Sequence, residues 1–124
     1  MATITFTIPS VLNGGGGEKK TDVNASTLND GAAACILMSA TKAKELNIKP
    51  IVKIISHASA AHSPEWFTTA PVKAIQKAIA LSDYTINQIG LFEINEAFSV
   101  VPMAAIKDLN IDVKKVNIYG GAVS

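Results

Sequence analysis

Cysteine is nearly absent. Cys35 stands alone in 124 residues, which excludes an internal disulfide and fits a reducing compartment. Charge is sparse too: 17 % of residues are charged against 48 % hydrophobic, a balance that demands a packed core and excludes intrinsic disorder. There is no basic surplus, since 11 Lys and Arg face 10 Asp and Glu for a net charge of +1. Phosphate-backbone binding requires clustered cations, so nucleic acid is an unsuitable partner. No apolar run approaches the roughly 18 residues required to span a bilayer, so no membrane association is expected. The first residues, Met1-Ala2-Thr3-Ile4-Thr5-Phe6-Thr7-Ile8, lack the basic start and long apolar centre of a signal peptide. These absences leave the expectation of a soluble, cytoplasmic chain that is one domain or a piece of one.

What is present is a succession of periodic segments. Ile4, Phe6 and Ile8 alternate with Thr3, Thr5 and Thr7, a period of two that predicts a short strand ended by Pro9. Residues 13–17, Asn followed by four Gly, read as turn or linker. Glu18-Lys19-Lys20-Thr21 invites comparison with a phosphate-binding loop. That motif requires Gly immediately before its Lys, which neither Lys19 nor Lys20 has, so the linker reading is preferred. Residues 21–31 are dense in small polar side chains that satisfy the backbone through local turns and let a ligand approach closely. The apolar stretch 32–38 predicts a strand buried on both faces, although its alanines leave a helix open.

Ser39 predicts the N-cap of a short helix through Asn47, which Pro50 breaks, and the β-branched residues of 51–55 predict the next strand. Pro71 suits the first turn of a helix, with Thr69 or Thr68 as cap. In that helix Val72, Ile75 and Ile79 recur on one face and Lys73, Gln76 and Lys77 on the other. A turn at 83–87 leads into a strand at 91–94. Phe98, Val101, Ala105 and Leu109 then share one face of a helix over 99–109, which Pro102 should kink. Residues 116–119 predict a last strand, closed by Gly120 and Gly121. Strands and helices alternating after residue 31 imply an α/β layer, mostly parallel, with right-handed crossovers.

Open α/β sheets carry their chemistry at the carboxyl ends of strands, which singles out Asn95-Glu96-Ala97-Phe98. Asn95 can donate from its amide without titrating, the property required of an oxyanion-stabilising group. Glu96 is a candidate base, but a glutamate at a helix N-terminus is also favoured there by the dipole and the free amides. Other candidates are weaker. Cys35, inside an apolar run, reads as a buried structural thiol with no activating partner. His57 and His62, with only Glu65 and Asp83 as further ligands nearby, fall short of a metal site, and no metal is expected. Ser56 and Ser59 flank His57 without a third orienting group. Trp66 and Phe67 read first as loop packing, with a ligand wall as the alternative.

Three motifs, Asn24-Ala25-Ser26-Thr27-Leu28-Asn29-Asp30-Gly31-Ala32-Ala33-Ala34, Asn95-Glu96-Ala97-Phe98 and Val116-Asn117-Ile118-Tyr119-Gly120-Gly121-Ala122-Val123-Ser124, together resemble the thiolase family. The match favours the acetyl-CoA acetyltransferase branch, which makes or cleaves acetoacetyl-CoA. The resemblance covers 21–124 as a partial thiolase C-terminal region and leaves 1–20, an N-terminal strand and Gly-rich linker, unassigned. It implies a thiolase-like layered α/β fold that is incomplete in this chain. It also implies that Asn95 is catalytic, holding a water in an oxyanion hole that stabilises the thioester oxygen as an acetyl group becomes an enolate. Ser26, with Ala25 beside it, matches a serine lying along the pantetheine of coenzyme A. Phe98 matches an aromatic residue of the acyl pocket, and Phe67 falls where relatives carry an apolar pocket residue. Coenzyme A thioesters are the implied substrates, no permanently bound cofactor is implied, and the intact enzyme is implied to be a homo-oligomer, a dimer or tetramer.

The departures matter as much. The family's nucleophilic cysteine belongs to a first half that this sequence does not contain. Its Gly-His-Pro motif and its later Cys-X-Gly-Gly turn, which bears a second cysteine, are also not in the sequence. Cys35 matches neither cysteine. Val11-Leu12-Asn13 before four glycines is similar to that last turn, but has Leu12 in place of cysteine and precedes the other motifs; a linker is preferred. Pro102 sits where relatives carry a small or apolar residue. The expectation is an acyltransferase of lipid metabolism, an acetyl-CoA C-acetyltransferase present as a fragment inactive alone. The alternative is a non-catalytic coenzyme A-binding or subunit-interaction module.

Overall fold

The computed structural model describes residues 3–6, 25–26 and 32–123. Its elements are β1 (Thr3–Phe6), α1 (Ala40–Glu45), α2 (Ala70–Ala80), β2 (Leu91–Ile94) and α3 (Val100–Leu109). Among the described residues there are also three 3-10 turns: Pro64–Thr69 ahead of α2, Ile86–Gln88 ahead of β2 and Val113–Lys115 after α3. The glycine linker, the residues compared with a phosphate loop, the Val11-Leu12-Asn13 similarity and most of the small-polar segment lie outside the described residues.

β1 and β2 pair in parallel, with Ile4 opposite Phe92 and Phe6 opposite Ile94. Parallel neighbours cannot be joined by a tight turn, and α1 and α2 fall in the sequence between them. Along β2 the side chains alternate, Leu91 and Glu93 half-buried and Phe92 and Ile94 buried. The buried pair packs with Val72 and Ile75 of α2, Val101 and Ala105 of α3, and the flanking Ile89 and Ile111. One apolar cluster therefore unites α2, β2 and α3, as their periodicities require.

The helix ends follow local chemistry. The Ser39 hydroxyl accepts the Lys42 N–H at 3.1 Å and starts α1, while Asn47 follows its end at φ 53°. Thr69 stands at the cap position of α2 but does not cap it. Its own backbone is already helical because the 3-10 turn runs directly into α2, and its hydroxyl instead donates to the Trp66 carbonyl at 2.9 Å. α3 starts at Val100, which makes Pro102 its third residue, and its Met103 N–H bonds to the Ser99 carbonyl at 3.4 Å. That bond comes one residue after the proline, so Pro102 deprives α3 of no internal bond. Asn110, at φ 52°, ends the helix in the left-handed conformation.

Two expected strands do not form. Residues 32–38 and 51–55 are irregular, and their apolar side chains are open: Ile36 is 86 % exposed and Ile51 99 %. A strand exists only when a neighbour takes its hydrogen bonds, and among the described residues neither segment has a bridge partner. For the same reason Cys35 is exposed rather than buried. The expected strand at 116–119 is reduced to one parallel bridge, Val116 to Phe92, because Asn117 turns the backbone to φ 47°.

Candidate active site

Asn117 completes the open end of β2 with its side chain. Its backbone N–H donates to the Phe92 carbonyl at 2.9 Å, continuing the bridge begun by Val116. Its backbone then turns away, and its side chain takes over. Asn117 Oδ1 accepts the Ile94 N–H at 2.8 Å, and Nδ2 donates to the Ile94 carbonyl at 2.9 Å. A carboxamide carries the same donor and acceptor as a peptide, so it pairs Ile94 as a neighbouring strand residue would. Asn is also among the few non-glycine residues that tolerate a positive φ.

The same Nδ2 reaches past Asn95 to Glu96, donating to Oε1 at 2.9 Å. The other carboxylate oxygen, Oε2, accepts the Val123 N–H at 3.1 Å. A Cβ built on Gly121 would overlap this carboxylate, so the absence of a side chain there makes room for it. Glu96 was expected at a helix start, but it lies ahead of α3, and its charge is held by Asn117 and Val123 rather than by the helix dipole. Asn95 itself is exposed. Among the described residues, the hydrogen bonds around it belong to its neighbours Ile94 and Glu96.

Ala25 and Ser26 join this loop from far away in the sequence. Ala25 bridges Phe98 and Ser26 bridges Val123, both antiparallel, and the Ser26 N–H donates to the Ala97 carbonyl at 3.2 Å. Phe98 meets the ring of Phe67 edge to face at 6.1 Å. Ala25, Ser26, Phe67 and Phe98 are thus brought together on the loop that begins with Asn95. The loop-packing reading of 66–67 holds only for this ring contact, because both Trp66 and Phe67 remain exposed.

The other candidates separate. The Ser56 hydroxyl donates to the Ala78 carbonyl at 2.7 Å, and Lys77 Nζ donates to the Ser59 carbonyl at 3.1 Å, which ties this segment to the end of α2. Ser56 is committed to that carbonyl, and His57 is exposed. Among the described residues no three of His, Cys, Asp and Glu converge as a metal site would require. Sequence reasoning missed Asn117 and Gly121 and gave Glu96 the wrong surroundings. One signal was available: an asparagine inside a β-branched run, just before two glycines, is a poor strand residue and a good turn residue.

Known proteins resemble this chain over most of its length. Residues 48–124 match the family model described as the thiolase C-terminal domain. An acetyl-CoA acetyltransferase from Schizosaccharomyces pombe is 54 % identical over 104 residues, 84 % of this chain and 26 % of that protein. The mitochondrial acetyl-CoA acetyltransferase of Mus musculus is 52 % identical over 84 % of this chain and 24 % of its own length. A crystal structure of a thiolase from Ascaris suum in complex with coenzyme A superposes with a TM-score of 0.78 at 50 % identity, covering 82 % of this chain and 26 % of that one. The chain thus spans about a quarter of the length of the relatives it matches. With the motif loop, the parallel strands and the family match in agreement, the chain belongs to the thiolase family and comprises part of its C-terminal region.

Proposed function

We propose that this chain supplies the Asn95 oxyanion donor and part of the coenzyme A-binding surface of an acetyl-CoA C-acetyltransferase. The observation that carries the reading is the assembly of Ala25, Ser26 and the Phe67–Phe98 pair on the loop that starts at an exposed Asn95. The Asn95 carboxamide holds a water against a thioester oxygen, where negative charge develops as the acetyl methyl loses a proton. A neutral donor suits this step because it stabilises the oxyanion without itself exchanging the proton. Ser26 and Ala25 lie along the pantetheine arm, and Phe67 with Phe98 borders the acyl group. Coenzyme A thioesters are substrates in this reading, with no permanently held cofactor. The intact enzyme is a cytoplasmic homo-oligomer.

Acyl transfer through a covalent intermediate also requires an activated nucleophile and a proton-transferring group. Cys35, exposed in an irregular apolar stretch, has neither motif that would assign it to those roles. The 124 residues by themselves are therefore expected to bind coenzyme A without turning over acetoacetyl-CoA. Calorimetric titration of coenzyme A tests the first half: saturable binding that Ser26→Tyr abolishes supports it, and no binding overturns it. Acetoacetyl-CoA thiolysis by the purified chain, free of other thiolases, overturns the second half.

A second reading is a non-catalytic subunit-interaction module. It is favoured by the open apolar side chains of Ile36, Leu37, Ile51 and Val52, which a partner surface would cover. Self-association without coenzyme A binding is the outcome that selects it.

A further inference from the structure

We propose that Asn117 is the positioning residue of Asn95, acting through Ile94 and Glu96. The inference rests on the oxyanion role proposed for Asn95 and adds the device that makes such a role effective. A catalytic donor is useful only when its geometry is set before the charge appears. Asn95 occupies a place where that is difficult to arrange: the first residue beyond a four-residue strand, exposed, on the way into a loop. Strand ends of this kind fray when their last backbone groups lack partners.

Asn117 prevents this from both sides. Its Oδ1 and Nδ2 pair the N–H and carbonyl of Ile94, the residue before Asn95, at 2.8 and 2.9 Å. Its Nδ2 also donates at 2.9 Å to the carboxylate of Glu96, the residue after Asn95. Glu96 is in turn tied to the chain beyond the glycines by the Val123 N–H, at 3.1 Å. One carboxamide thus brackets the residues on either side of Asn95 while leaving the Asn95 side chain open. The left-handed turn at Asn117, φ 47°, is what brings the side chain rather than the next peptide to Ile94. Both the conformation and the three contacts suit asparagine. Aspartate would tolerate the turn and keep the acceptor, but it lacks both donors and would set a second carboxylate against Glu96. Glycine would keep the turn and lose the carboxamide entirely.

The arrangement also gives Glu96 a role other than base. Both of its oxygens accept hydrogen bonds from this chain, and its carboxylate fills the space left by Gly121. It is the second half of the bracket.

The test is NMR on the full 124-residue chain, which requires no turnover. In the unaltered protein, a scalar coupling across the hydrogen bond from Asn117 Nδ2 to the Ile94 carbonyl is expected, and its absence overturns the proposal without any variant. In Asn117→Gly and Asn117→Asp, exchange of the Ile94 amide proton should rise at least about tenfold. The backbone order parameters of Asn95 and Glu96 should fall from about 0.85 toward 0.6 or below. Amide exchange at the buried Ile75 and Val101 should stay unchanged, which a general loss of stability would not allow. Adding Glu96→Gln to Asn117→Asp restores a donor between the two side chains and should recover part of the Asn95 order. Unchanged Asn95 order in both single variants overturns the proposal. Loss of coenzyme A binding in Ser26→Tyr bears on the functional reading alone, because none of these signals depends on coenzyme A.

Discussion

The rings of Phe67 and Phe98 meet edge to face, their centroids 6.1 Å apart and their planes inclined at 64°. The positive edge of one ring lies toward the negative face of the other, an arrangement worth about 0.5–1.5 kcal/mol beyond the area it buries. It ties the 3-10 turn that leads into α2 to the loop between β2 and α3. Phe98 also carries the bridge to Ala25, so it links three separate stretches of chain. A double-mutant cycle with Phe67→Leu and Phe98→Leu, followed by urea unfolding, should give a coupling of about 0.5–1.5 kcal/mol. Additive effects would show that the two rings are neighbours without being partners.

Gly120 and Gly121 should respond differently to the same substitution. Gly120 has φ 96° but open space around its missing side chain, so Gly120→Ala carries only backbone strain, about 1 kcal/mol. A Cβ on Gly121 meets the Glu96 carboxylate, so Gly121→Ala must displace Glu96, at about 1–3 kcal/mol. The amide resonance of Val123, which donates to Glu96, reports the difference: it should move strongly in Gly121→Ala and little in Gly120→Ala. Equal movement in both would mean that Glu96 is not held against Gly121.

Pro102→Ala should not stabilise the protein. A proline within a helix interior is unfavourable by about 3 kcal/mol relative to alanine, and relieving it would appear as a large gain. Here the proline is the third residue of α3, ahead of the Met103–Ser99 bond, and it is buried. Its replacement should therefore be neutral or destabilising by about 1 kcal/mol. For contrast, Ile75→Ala removes a fully buried side chain at the centre of the core and should lose about 2–5 kcal/mol. Chemical denaturation of the two variants checks both values.

Ile36→Lys with Ile54→Lys should lower self-association in sedimentation velocity while leaving the unfolding transition nearly unchanged, within about 0.5 kcal/mol. Both side chains are exposed, so the charges meet water and open no cavity. A marked loss of stability would mean that these residues belong to the core after all.

How far the site could be read from the sequence depends on how local its causes are. Asn95 stood out in the sequence because it follows a strand with clear alternation and precedes a helix with a clear apolar face, and both elements form nearly where expected. Ala25, Ser26 and the pocket roles of Phe67 and Phe98 entered through family resemblance; no periodicity could have placed the first three beside Phe98. The bracket around Asn95 was not legible. It depends on one asparagine leaving the β region, so that a side chain rather than a peptide meets Ile94.

By itself the sequence determined α2, β2, α3 and the short α1, because an apolar face at the right period, or a serine ahead of a short helix, acts over a few residues. The tertiary structure decided the rest. Residues 32–38 are an unbroken apolar run and 51–55 are mostly β-branched, yet a strand is a relation between two segments and composition cannot supply the second. The turn at Asn117, the overlap that reserves Gly121 for Glu96, and the surroundings of Asn95 likewise follow from which segments meet. Local pattern chooses an element's type; only long-range pairing chooses its neighbours, and the surroundings of Asn95 are built from such neighbours.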